Sequence, residues 1–210
     1  MARAHTRAPV LIRRGPVALA AALCLTSGAA LGSHGVYLRA KALLAQALLE
    51  RAWRATVTSG RPTKPWSWAD TWPVARLRFP RLDRSAVVLA EAGGESLAFA
   101  PAHVGVSPPP GDPGTTVIAG HRDTHFRFIR ELVPGDEIEV TRADGTVRVF
   151  RVTHSAIVHA AASGIEVEGG SPRLALVTCW PFDALERGPL RYVVFADSSA
   201  SSHALWPQAQ

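Results

Sequence analysis

Cysteine is scarce in this 210-residue chain: there are two, Cys24 and Cys179. Cys24 lies inside an N-terminal apolar segment, so the rest of the chain carries one thiol. That excludes an intramolecular disulfide in the folded domain, and leaves the redox compartment open. Acidic residues are fewer than basic ones, 17 against 23, and the deficit is uneven. Arg3, Arg7, Arg13 and Arg14 have no acidic neighbour at all, whereas later Arg and Lys residues are interleaved with acids. No long basic stripe forms, which argues against a nucleic-acid partner. Internal repeats and a Rossmann-type glycine pattern are also missing, which removes solenoids and dinucleotide folds from consideration. The length suits one main domain with appendages.

What is present begins with an apolar stretch from Gly15 to Leu38, interrupted late by Ser33 and His34. A helix needs roughly 20 apolar residues to cross a hydrocarbon core. Residues 15–38 therefore read as an uncleaved transmembrane anchor. The arginines of residues 1–14 would hold the N-terminus in the cytoplasm and place the remainder in the periplasm. A cleaved signal peptide is the alternative, because Ser27 to Gly32 is rich in small residues. From Tyr37 to Thr56, Leu43, Leu44, Ala47, Leu48 and Trp53 recur at helical spacing, as in a juxtamembrane amphipathic helix. Prolines and three tryptophans then replace periodicity up to Pro73. Trp66, Trp68 and Trp72 are expected to cover apolar surface of the domain.

Residues 39–72 are thus read as juxtamembrane helix and linker, 73–197 as the main domain and 198–210 as a loose Ser- and Ala-rich tail. Within the domain the signals are those of short strands: Val74 to Phe79, Ser85 to Ala90, Leu97 to Ala100, Thr115 to Ala119, Glu137 to Arg142, Val147 to Val158, Leu174 to Thr178 and Leu190 to Ala196. Asp144-Gly145 is a hairpin turn signal. Only Thr124 to Glu131 looks helical. The expected class is all-β, a sandwich or barrel.

Two strands end abruptly at reactive side chains. Leu174 to Thr178 closes at Cys179, and Thr116-Val-Ile-Ala-Gly120 closes at His121. A thiol becomes a strong nucleophile when a cationic neighbour stabilises its thiolate, and a histidine serves as that neighbour and as proton donor to a leaving amine. Arg191 lies on the strand that follows Cys179 after one loop. A hairpin between the two would bring its guanidinium near the thiol, where it can stabilise the oxyanion of an attacked carbonyl.

Leu176-Val-Thr-Cys179 resembles the sortase signature, Ala119-Gly-His121 resembles that family's His motif, and Arg191 matches its strand arginine. The residues around them are Gly120-His-Arg-Asp-Thr-His-Phe126, Thr178-Cys-Trp-Pro-Phe-Asp183 and Gly188-Pro-Leu-Arg-Tyr-Val193. With Lys64-Pro-Trp-Ser-Trp-Ala-Asp-Thr-Trp72, they are similar to the sortases of Gram-negative, largely marine, proteobacteria. The likeness covers roughly residues 60 to 197. It departs at Trp180, where members often carry Tyr or Thr. The resemblance implies an eight-stranded β-barrel with short helices and a cysteine transpeptidase of the cell envelope. Cys179 would attack a carbonyl in a C-terminal sorting motif of a substrate protein, His121 would act as acid and then base, and Arg191 would hold the oxyanion. An amine acceptor in the envelope, or water, would resolve the thioester. No cofactor or metal is required. The loop from His159 to Pro172, with Ser163 and Gly164, would select the substrate, and Thr178 and Trp180 would border it.

Rival readings exist. His121, Asp123 and His125 form His-x-Asp-x-His, a weak zinc pattern of a metal-dependent hydrolase that leaves Cys179 and Arg191 unexplained. A membrane-tethered binding domain would bury Cys179 and use no chemistry. An L,D-transpeptidase would favour a Ser-x-Gly-Cys setting, which the chain lacks.

Overall fold

The computed structural model describes residues 14–94, 96–184, 186 and 188–199. Residues 1–13, with Arg3, Arg7 and Arg13, and the tail beyond Ser199 lie outside the described residues. The chain divides into two compact units, one up to Leu44 and one from Ala45.

A single helix, α1, runs Arg14–Ser59. The expected anchor and juxtamembrane helices are therefore one element, because Ser33 and His34 remove no backbone donor and no proline follows Pro16 until Pro62. In the first unit the apolar side chains are exposed, Leu25 and Leu31 at 74% and 75%. This helix is long and apolar enough to cross a membrane. It ends at Gly60, whose φ of 66° is the left-handed conformation glycine adopts freely, and whose N–H bonds Thr56 O at 2.9 Å.

In the second unit, eight strands close into a barrel: β1 Pro73–Phe79, β2 Arg84–Leu89, β3 Ala102–His103, β4 Gly114–Ala119, β5 Glu137–Arg142, β6 Val147–His159, β7 Pro172–Cys179 and β8 Leu190–Ser198. Their order is β1-β2-β3-β4-β7-β8-β6-β5, with β1 against β5 closing the ring. Most pairs are antiparallel; β4 beside β7 and β2 beside β3 are parallel. Alternation sorts the side chains. Leu174 and Leu176 of β7, Val194 and Ala196 of β8, and Ile118 of β4 join Leu77, Phe150 and Ile138 in the interior. Ala175, Val177, Val193, Phe195 and Val117 face outward, where Ile165 and Val167 of the β6–β7 loop cover part of them.

Three expectations are corrected. Leu97 to Ala100 is not a strand: Ser96–Phe99 forms a short helix, α2, with Ala100 N–H on Ser96 O at 3.1 Å. A short apolar run does not distinguish the two states, and here the segment packs on Leu49 of α1 and Leu89 of β2. The helix expected over Thr124 to Glu131 shrinks to a 3-10 turn, Arg127–Glu131. Trp68 does not cover the domain, being 80% exposed, whereas Trp66 meets the Phe99 ring edge-on at 5.0 Å. β3, with two residues, is too short to leave a pattern.

A buried carboxylate ties the segment before β5 to the turn after β1. Asp136 accepts from Arg81 at 2.5 and 2.7 Å and from Val133 N–H at 2.8 Å, while Arg81 also reaches Glu131 O. The Arg81 hydrogen bond holds the Asp136 carboxyl below the usual carboxylate range, against the opposing effect of burial. A depressed carboxylate stabilises the fold above its ordinary titration range, and that stability is lost as pH falls through the folded value. Asp136→Asn should therefore cost about 1–2 kcal/mol at neutral pH, half-exposed Arg81 limiting the effect. In thermal unfolding, the gap from wild type should narrow as the pH is lowered below 4.

Candidate active site

The parallel pairing of β4 with β7 decides where the reactive residues meet. Its register runs from Gly114 opposite Pro172 to Ala119 opposite Val177. Two further bonds extend it: Gly120 N–H donates to Val177 O at 3.0 Å, and the Thr178 hydroxyl donates to Gly120 O at 2.7 Å. His121 follows two residues after the last β4 pair, Ala119 with Val177, as Cys179 follows two residues after Val177, so both leave the same end of this pair of strands. On the other side of β7, Cys179 is the direct partner of Arg191 on β8. Alternation from Ala175 and Val177 turns Cys179 to the outer face, and alternation from Phe195 and Val193 turns Arg191 to the same face. Cys179 is half-buried and unbridged.

Gly120 is required by close packing. A Cβ there would meet the Phe126 ring at 2.7 Å, and Phe126 is fully buried. After it the chain turns tightly, Phe126 N–H donating back to His121 O at 3.0 Å. Arg191 Nη1 donates to Gly188 O and Leu190 O, both at 2.8 Å.

The residues expected at the substrate separate. Thr178 is 2% exposed and its hydroxyl joins the two strand ends. Trp180 packs against Tyr192, 5.9 Å between stacked rings, and Phe182, 5.6 Å edge-on, at the rim of the interior cluster. Ser163 is half-buried, its hydroxyl accepting from Ile165 N–H at 3.4 Å, and Gly164 is exposed with φ 66°. Both lie on the loop that covers the outward patch.

His121, Asp123 and His125 do not converge. Among the described residues no three His, Cys, Asp or Glu side chains are grouped to hold a metal ion. Asp123 faces Arg122 at 3.4 Å. Burial pushes the His125 imidazole below its ordinary value; a hydrogen bond with the Ala98 backbone opposes this and neighbouring His121 reinforces it. A cavity of about 360 Å³ lies beyond this turn, lined by Arg84, Thr124, His125, Arg127, Phe128 and Arg130, and not by Cys179 or Arg191. Arg122, not singled out in the sequence, is 6% exposed and donates to Pro181 O, Ala184 O and Glu186 O. Its position next to His121 was the only available signal.

A family model described as Sortase domain matches residues 77–199, more than half the chain. The chain belongs to the sortase family. This sortase is 27% identical over 119 residues to Sortase D of Bacillus subtilis (strain 168), a match covering 57% of the chain and 60% of that protein. The chain thus spans about three fifths of that curated relative. Among solved structures it resembles the catalytic domain of SrtD from B. anthracis, 28% identical, TM-score 0.54, over 63% of the chain and 90% of the other. It also shares the fold of a Sortase D5 transpeptidase from Clostridium perfringens, 20% identical, TM-score 0.60, over 74% of the chain and 98% of the other.

Gly120→Ala is expected to cost about 1–3 kcal/mol by forcing the Phe126 ring aside. In a thermal unfolding series, trimming the ring in Gly120→Ala/Phe126→Leu should recover part of that loss.

Proposed function

We propose that this sortase is a membrane-anchored cysteine transpeptidase acting through Cys179, His121 and Arg191. The observation that supports the reading is the register: one strand, β7, has Cys179 at its end, with Arg191 directly opposite on one neighbour and, on the other, β4 ending at Ala119, two residues before His121. The Cys179 thiolate attacks a backbone carbonyl of a C-terminal sorting motif in a substrate protein. The carbonyl carbon becomes tetrahedral, and its oxyanion accepts hydrogen bonds from Arg191. His121 gives its proton to the departing amine, the C–N bond breaks and a thioester remains on Cys179. An incoming envelope amine, or water, loses a proton to His121, attacks the thioester and releases the thiolate.

The peptide would lie on the Cys179 face of the barrel, where Val177 and Val158 are partly exposed over buried Val193 and where Ile165 and the loop of Ser163 and Gly164 pack. Apolar walls with a few polar groups suit an extended peptide. The apolar exposed half of α1 supports anchoring in a membrane; with the preceding arginines held in the cytoplasm, the barrel would face the periplasm.

Intact-mass spectrometry tests the chemistry. Incubated with sorting-signal peptides, the protein should gain the acyl fragment on Cys179, reversibly by hydroxylamine. Cys179→Ala should gain none, and His121→Ala or Arg191→Ala should slow adduct formation by about 100-fold or more. An adduct that persists in Cys179→Ala, or activity abolished by a chelator, would count against the reading.

A further inference from the structure

A guanidinium is rarely buried unless its donors are met. Arg122 meets its donors on one segment, the loop of residues 180–189 that joins Cys179 to Arg191. Its Nη1 donates to Pro181 O at 2.8 Å, and its Nη2 to Ala184 O at 2.5 Å and Glu186 O at 2.9 Å, while Nε faces Asp123 at 3.4 Å. The far end of the same loop is bound by Arg191 through Gly188 O and Leu190 O. Its base is closed by Trp180 N–H on Leu190 O at 3.0 Å. One loop therefore lies between two arginines. The first is joined by a peptide bond to His121, and the second stands opposite Cys179.

We propose that Arg122 is a positioning residue for acyl transfer, holding the β7–β8 loop so that Gly188 O sets the Arg191 guanidinium over the thiol. The inference rests on the sortase-type reading above. The Gly188 carbonyl orients Arg191, and two residues earlier the Glu186 carbonyl is held by Arg122. Without Arg122, three carbonyls lose their donor and turn toward water. The loop relaxes and Arg191 loses its fixed acceptor. Lysine keeps the charge but not the planar fork that spans three separate carbonyls, so charge and geometry are separable. Because Arg122 is buried and its hydrogen bonds all go to the loop, the loss belongs to the reaction rate and not to peptide binding.

The test is a double-mutant cycle on acylation of Cys179, with peptide saturation and amide exchange read in parallel. Arg122→Gln should slow acylation at saturating peptide roughly 10- to 100-fold, the scale of a misplacement near 1 Å. The half-saturating peptide concentration should stay within about threefold of wild type. Combined with Arg191→Ala, the Arg122 change should slow acylation by less than about twofold more, since it acts through Arg191. Arg122→Lys should recover only part of the rate. Faster exchange should appear at the amides of Phe182, Ala184 and Gly188. Full additivity with Arg191→Ala, a wild-type rate in Arg122→Lys, or unchanged exchange in the loop would overturn the proposal. Where Arg122→Gln does not fold, Arg122→Lys carries the cycle. A wild-type protein that forms no adduct would defeat the transpeptidase reading instead, and loop exchange would still decide the role of Arg122.

Discussion

The parallel contact between β4 and β7 is the constraint on which the rest depends. Parallel neighbours need a long crossover between them, and here that crossover contains β5 and β6, so 52 residues separate the end of β4 from the start of β7. Residues distant in sequence are thereby brought to a common strand end. The contact is held beyond the strands themselves by Thr178, whose buried hydroxyl bonds Gly120 O, and by Gly120, which admits the Phe126 ring where any side chain would collide. Two small features fix the level at which the chain leaves the sheet at His121.

The period of the strands then does the sorting. Residues of β7 that point inward, Leu174 and Leu176, fill the barrel, and Thr178 continues that row as a polar pin. Those that point outward, Ala175 and Val177, pack in a second apolar cluster with Val193 and Ile165, and Cys179 continues their row. A slip of one residue would turn the thiol into the core and Thr178 to the solvent. The register that packs the core is thus the register that presents the thiol, which ties stability of this wall of the barrel to the chemistry it supports.

Much of this was legible in the chain, and the rest was hidden for identifiable reasons. Seven of the eight strands show as β-branched or alternating runs, and Leu-Val-Thr-Cys marks a strand end by its own wording. β3 escaped because two residues carry no period, and α2 was misread because four apolar residues suit either state until Leu49 and Leu89 settle it. Thr178 was placed at the substrate because it precedes the thiol, yet alternation alone would have turned it inward. Trp180 is more than a substrate-edge candidate, since it stacks on Tyr192 and meets Phe182 at the mouth of the barrel. Arg122 had only its place beside His121 to mark it: its partners are backbone carbonyls some sixty positions away, and carbonyls leave no residue signature.

The account stands or falls on His121 lying beside Cys179. Neighbouring strands run about 4.8 Å apart, inside the Cα window of roughly 4.4–6.8 Å that a disulfide needs. In a His121→Cys variant that also carries Cys24→Ser, mild oxidation should join the introduced thiol to Cys179, with the free-thiol count falling from two to zero in the monomer. Two thiols that both remain free and alkylatable after oxidation of the folded protein would contradict it.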